Sequence, residues 1–142
     1  MKHYTNVKDN SPHMVFIGRW CPFHKGHAHI MEKKMKENPG KPILVLVRDT
    51  DYDALPTPFR ADLVKAWMQE KDIPGTVMII PDIEGVYWSR KVGYTTEAVD
   101  VDESIANISA TDIRRKIKEG DDSWKDHIPA KGAADMIERE LR

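Results

Sequence analysis

The chain has 142 residues, 22 Lys+Arg against 23 Asp+Glu, and a formal net charge of −1 at pH 7. That length fits one domain able to bury roughly two-thirds of the surface its unfolded chain exposes, so a core needs neither disulfides nor structural metal. An apolar share of 40% and a charged share of 32% read as globular, and the balanced charge gives no footprint for bulk nucleic acid or an anionic membrane. Any anion the chain binds is therefore gripped by a local cluster of cations.

Residues 1–12 are polar and end in Ser11-Pro12, so they are expected as a flexible leader ahead of a single domain over 13–142. His13 to Gly18 reads as a short buried strand closed by glycine. From Gly26 to Asn38 the period turns helical, with Ala28, Met31 and Met35 on one stripe, and Asn38-Pro39-Gly40 stops it. Pro42 to Val47 is an unbroken apolar run, the mark of a strand covered on both faces.

After a turn-rich stretch from Asp49, Thr57 and Pro58 are placed as N-cap and first residue of a second helix with the stripe Leu63, Val64, Trp67 and Met68. Ile73-Pro74-Gly75 ends it, and Thr76 to Ile80 is a third buried strand. Asp82 to Tyr94 is loop-like, and Thr95 to Val101 is expected as a fourth strand. Ser109 to Glu119 is expected as a helix ended by Gly120, and about Ala130 to Leu141 as a last helix after Pro129. Strands that alternate with helices and lack polar/apolar alternation predict a doubly wound α/β domain, a parallel sheet with helices on both faces. In such a sheet ligands sit beyond the carboxyl ends of the strands.

Cys21 is the only cysteine, which rules out an intrachain disulfide and points to a reducing, cytoplasmic setting. The longest apolar stretch, Ile43 to Val47, is far too short to span a bilayer, and Met1 to Asp9 lacks the apolar segment of a signal peptide.

The first strand-to-helix turn, Gly18-Arg19-Trp20-Cys21-Pro22-Phe23-His24-Lys25-Gly26-His27, is where that topology puts chemistry. It lacks the Gly-x-Gly-x-x-Gly fingerprint, and no Gly-Lys-Ser/Thr P-loop occurs in the chain. It holds two histidines three apart, His24 and His27, flanked by Arg19 and Lys25, with Gly26 permitting close backbone approach. A helix starting near Gly26 aims unsatisfied N–H groups into the same space. Imidazole donors, cationic side chains and a helix N-terminus converging on one spot suit a phosphate, above all one whose oxygens gain charge during transfer.

A second segment, Ile108-Ser109-Ala110-Thr111-Asp112-Ile113-Arg114-Arg115, has capping-box spacing at Ser109 and Asp112 and hydrophobic-staple spacing at Ile108 and Ile113. Taken alone it is a well-specified helix start. Arg114 and Arg115, however, oppose the helix macrodipole unless an anion offsets them.

Together, about 80 residues apart, these segments resemble the nucleotidylyltransferase superfamily with the His-x-Gly-His signature, which includes cytidylyltransferases and the pantetheine-phosphate and nicotinamide-nucleotide adenylyltransferases. The form Gly-Arg-x-x-Pro-Phe-His-x-Gly-His most resembles the archaeal-type nicotinamide-nucleotide adenylyltransferases, and the likeness runs from about Met14 to Ile117. It implies a Rossmann-like domain in which an acceptor attacks the α-phosphate of a nucleoside triphosphate and releases pyrophosphate, with no covalent intermediate and with Mg2+ carried by the triphosphate. At the matching positions it implies that His24 and His27 contact the triphosphate and stabilise transition-state charge. It likewise implies that Gly18, Arg19 and Lys25 line the phosphate site, that Ser109 and Thr111 hold the outer phosphates, and that Arg114 clamps them.

Pro81-Asp82-Ile83 through Trp88 is similar to the stretch whose aromatic stacks on the nicotinamide ring in the adenylyltransferases, which makes Asp82 and Trp88 candidate acceptor residues. Arg48, at a strand end beside the cleft, is a third. Ser89 to Tyr94 resembles instead the cytidylyltransferase-like domain joined to adenylylsulfate kinases, and Trp20-Cys21 stands where relatives commonly have Phe-Gln or Phe-Asp. The resemblance thus implies AMP transfer from ATP to a phosphate-bearing acceptor such as nicotinamide mononucleotide, with CTP-dependent transfer to a phosphorylated small alcohol as the alternative. The implied partners are the triphosphate and the small acceptor, with a homo-oligomer open.

Two readings from other classes stand beside it. Cys21, His24, His27 and His29 have metal-ligand chemistry, but His27 and His29 diverge by about 200° on a helix, so no metal site is expected. The other is a nucleotide-binding module without turnover.

Overall fold

A computed structural model describes residues 9–50, 55–90, 93–99 and 108–140. Strands β1 (Met14–Gly18), β2 (Ile43–Asp49) and β3 (Gly75–Pro81) alternate with helices α1 (Lys25–Glu37) and α2 (Thr57–Glu70). Helix α3 (Ala110–Glu119), a 3-10 helix (Asp122–His127) and α4 (Lys131–Glu140) follow. The result is a small single-domain α/β fold on a parallel sheet of order β1-β2-β3. Gly75 starts β3 with φ +151°, and a Cβ there would lie 2.1 Å from the Ile43 carbonyl oxygen, so only glycine lets the third strand begin against the second.

Phe16, Val45 and Val77 stand in register on one face of the sheet. That face carries the core: Phe16, Ile43, Val45 and Val47 join Ala28 and Met31 of α1, Leu63, Val64 and Trp67 of α2, Ile113 of α3 and Ile137 of α4. The other face carries Val15, Leu44 and Thr76 in one row and Ile17, Leu46 and Met78 in the next. There Val15 is 51% and Ile17 38% exposed. Right-handed crossovers that step in one direction across a sheet leave their helices on the same face. The β1-to-β2 and β2-to-β3 connections both step that way, which places α1 and α2 together. An apolar run without alternation therefore did not mean, among the described residues, a strand packed equally on both sides.

Residues 95–99, expected to open a fourth strand, carry none, and 100–101 lie outside the described residues. Thr95 to Ala98 are exposed, with no apolar face to bury, and Glu97 pairs instead with Lys34 of α1 at 2.9 Å. Of the expected leader, residues 1–8 lie outside the described residues. The start of α2 also differs from expectation. Pro56, not Thr57, is the N-cap, and Pro58 is the second helical residue. The Thr57 hydroxyl is engaged elsewhere, donating to Asp49 Oδ1 at 2.8 Å.

The 3-10 helix was not anticipated. Asp121 caps it by accepting from the Ser123 N–H at 3.0 Å, and Trp124 is buried in the core. Among the described residues no helix is long and apolar enough to cross a membrane.

Helix α2 also takes a charge into the interior. Arg60 is completely buried, and its five donor positions are distributed over the carboxyl edge of the sheet. Nε donates to the Leu55 carbonyl at 2.9 Å, Nη1 to the carbonyls of Arg19 and Arg48, and Nη2 to the hydroxyls of Thr50 and Thr57. A desolvated guanidinium costs on the order of several kcal/mol unless its donors are met, and here they are met by oxygens just beyond β1, at and after the end of β2, and at the entry to α2.

The one-faced core predicts unequal responses to mutation. Leu63→Ala lowers the unfolding free energy by about 2–5 kcal/mol, whereas Val15→Thr changes it by no more than about 0.5 kcal/mol. Urea titrations of the two variants check this, and equal losses would mean that the second face is packed as tightly as the first.

Candidate functional site

The turn after β1 is built around Trp20. Its backbone is left-handed (φ 52°), its indole Nε1 donates to the Leu46 carbonyl at 3.1 Å, and it is buried. A Cβ on Gly18 would come within 2.7 Å of the Trp20 ring, so glycine at the strand end is what lets the indole fold back. The Cys21–Pro22 bond is cis. Phe23 is buried against Trp67 of α2, ring centroids 5.1 Å apart. These aromatics wall in His27. Trp20 meets it edge-on at 4.9 Å, and His24 stacks on it at 3.7 Å with the planes only 18° apart.

The two imidazoles start α1. His24 is the N-cap, its Nδ1 accepting from the Gly26 N–H at 3.1 Å, while Nδ1 of His27 accepts from the His24 N–H at 3.2 Å. This is a capping box made of histidines rather than of Ser and Glu. Because both Nδ1 atoms accept, the proton of each neutral ring sits on Nε2, which makes Nε2–H the donor of each ring. Burial, with a smaller push from the charge of His127 in the 3-10 helix, lowers His24 to about 4. Burial, with a smaller push from His24, lowers His27 to about 3. Both rings are neutral donors at neutral pH.

At the second segment Ser109 caps α3, its Oγ accepting from the Asp112 N–H at 3.3 Å. Ile113 is buried in the core, and the half-buried Ile108 packs against it. Asp112 does not turn back to the cap. Its carboxylate takes Arg115, which also reaches Glu119 at 2.8 Å, so Arg115 is offset by its own helix and needs no bound anion. Arg114 behaves differently. Its Nη2 donates to Thr111 Oγ1 at 3.2 Å, and its Nη1 donates to the carbonyl of Cys21, 93 positions earlier. That bond brings the second segment onto the histidine turn.

The remaining expected residues fall into place unevenly. Arg48 pairs with Asp82 at 2.8 Å across the ends of β2 and β3. This bond, with a further contribution from the charge of Arg19, holds the Asp82 carboxyl below its usual range. Lys25 is the exposed first residue of α1, and Ser109 and Thr111 are exposed at the start of α3. Trp88 is 49% exposed, and its ring meets Tyr94 edge-on at 6.4 Å rather than packing in the core. Cys21 is buried, and among the described residues no group of three His, Cys, Asp or Glu side chains is arranged to hold a metal ion. A cavity of about 730 Å3 lies at the opposite, amino-terminal end of the strands, beside His13, Lys65 and Thr76.

Two residues escaped the sequence reading. Arg60 shares the helical stripe of Leu63, Val64 and Trp67, and a charge on an apolar stripe was the available signal. His127 carried none, because only the tertiary fold brings the 3-10 helix within electrostatic range of His24. No family model matches the chain, and no curated protein matches it.

The depressed histidines make stability depend on pH. In the unfolded chain a histidine titrates near 6.5, so below that pH the unfolded state holds more protons than the folded one. The stability contributed by neutral His24 and His27 is complete above about pH 6.5 and is lost as the pH falls through 6.5 towards their folded values of about 4 and 3. Thermal unfolding midpoints are expected to fall between pH 7 and pH 4. His27→Gln, which keeps an acceptor for the cap but removes one titration, should make that fall shallower; an unchanged slope would count against the neutral pair.

Proposed function

We propose that the chain is a nucleotidylyltransferase that transfers AMP from ATP to a phosphate-bearing small acceptor such as nicotinamide mononucleotide, releasing pyrophosphate. The observation that carries this reading is the hydrogen bond from Arg114 to the Cys21 carbonyl, which seats a guanidinium beside the turn holding two neutral imidazole donors. In this reading the three strands belong to a Rossmann-like doubly wound sheet, with the cleft beyond their carboxyl ends. The setting is cytoplasmic.

The triphosphate enters as its Mg2+ complex. An oxygen of the acceptor phosphate attacks the α-phosphorus, the new P–O bond forms, and the bond to the β-phosphate breaks with its electron pair leaving on pyrophosphate. No side chain forms a bond to phosphorus, so the protein contributes position and electrostatics. The Nε2–H groups of His24 and His27 donate to the phosphate oxygens that gain charge. Arg19 and Lys25 add positive potential at the turn, and Gly18 keeps the strand end close. Ser109, Thr111 and the α3 N-terminus hold the outer phosphates, with Arg114 as the clamp. Arg48, Asp82 and Trp88 face the acceptor's part of the cleft.

These groups address phosphates rather than a base, so cytidylyl transfer from CTP uses the same machinery. A panel of nucleoside triphosphates scored by thermal shift and by pyrophosphate release decides the donor: a selective response to ATP supports the reading, and one to CTP replaces it with the cytidylyl alternative. Binding without pyrophosphate release for any acceptor would leave a nucleotide-binding module. His27→Ala is expected to fold, by circular dichroism, and to lose about 10²–10³-fold in turnover; near-wild-type turnover would sink the assignment.

A further inference from the structure

We infer that Arg60, a residue outside the two histidine and arginine segments, is a positioning residue that fixes where the cations of the cleft begin. The inference rests on the nucleotidylyl-transfer reading for its catalytic consequence, and on geometry alone for its structural part. The two backbone carbonyls that its Nη1 grips belong to Arg19 and Arg48, the residues just beyond β1 and near the end of β2 whose side chains the nucleotidylyl-transfer reading assigns to the phosphate and acceptor sites. One buried guanidinium thus sets the origin of both site arginines at once. Its Nη2 reaches the Thr57 hydroxyl, which donates in turn to Asp49, tying the start of α2 to the same strand end.

The need for such a brace is visible in the turn itself. Trp20, immediately after Arg19, sits in the left-handed region that a bulky residue rarely adopts. Such backbone persists only where its surroundings over-determine it. Here two bonds bracket the strained residue: Arg60 to the carbonyl before it, and the Trp20 indole to Leu46. Beyond Trp20 the same turn delivers the Cys21 carbonyl to Arg114 and the His24 cap to α1. A merely structural filler of this helical position needs to be apolar and the right size. Arg60 instead carries a fork of donors matched to oxygens from the turn after β1, from β2 and from the α2 entry, and a lysine, with one nitrogen, cannot meet them together.

The test compares wild type with Arg60→Lys and Thr57→Val. Each is assayed well below its own unfolding midpoint for pyrophosphate release with MgATP plus nicotinamide mononucleotide and with MgCTP plus a phosphorylated small alcohol, and each is observed by NMR at the Trp20 indole N–H, assigned by Trp20→Phe. Arg60→Lys is expected to shift the Trp20 signal and to lower kcat/KM by about ten- to hundred-fold. Thr57→Val, which removes one leg of the network, should move both in the same direction by less. If Arg60→Lys does not fold, Thr57→Val alone carries the test. Folded variants with an unmoved Trp20 signal and kcat/KM within about two-fold of wild type would overturn the inference. If wild type itself releases no pyrophosphate, the proposed activity fails, and the Trp20 signal still decides whether Arg60 sets the turn.

Discussion

Two crossovers taken in the same direction across a parallel sheet determine most of what this molecule is. They stack α1 and α2 on one side, where Phe16, Val45 and Trp67 form the centre of the core. They also make all three strands point the same way, so the turn after β1, Arg48 near the end of β2 and Asp82 after β3 arrive at one edge. Direction and register bring the strand ends to one edge, and the bonds of Arg60 and the Arg48–Asp82 pair then hold the residues within it.

How the positive charges at that edge are held distinguishes them. Arg115 is matched by Asp112 and Glu119, and Arg48 by Asp82, so these guanidinium groups meet carboxylates. Among the described residues Arg114 meets a hydroxyl and a backbone carbonyl. Neutral acceptors orient a guanidinium without cancelling its charge, which leaves Arg114 electrostatically available where Arg115 is not. A chain whose total charge is −1 thereby keeps a directed positive group beside two uncharged imidazoles.

The strands and helices near the site were legible because their signals are local. The apolar run Ile43 to Val47, the stripe Ala28, Met31 and Met35, the breaker Ile73-Pro74-Gly75 and the stop at Gly120 each act within a turn or two of chain. The capping of α3 by Ser109 was legible for the same reason. What was not legible depends on distance in sequence. Whether one or both sheet faces are covered follows from crossover direction, which an apolar run does not record. The role of Thr57 depends on Asp49 and Arg60 together, and the bond from Arg114 to Cys21 closes a loop that no spacing rule describes. The paired histidines stood out as a candidate site, but their service as the cap of their own helix appeared only in the fold.

That last arrangement has a consequence for acid. The lone pair that His24 offers to the Gly26 N–H is the one a second ring proton would occupy, and the same holds for His27 and the His24 N–H. An imidazolium has no acceptor. Charging either ring therefore evicts a backbone donor from the start of α1, so protonation and the integrity of the first helical turn are mutually exclusive states of the same two nitrogens. Acidification would loosen the first turn of α1 at the moment the rings gain positive charge, so that the opening residues of that helix register a proton as a change of backbone order.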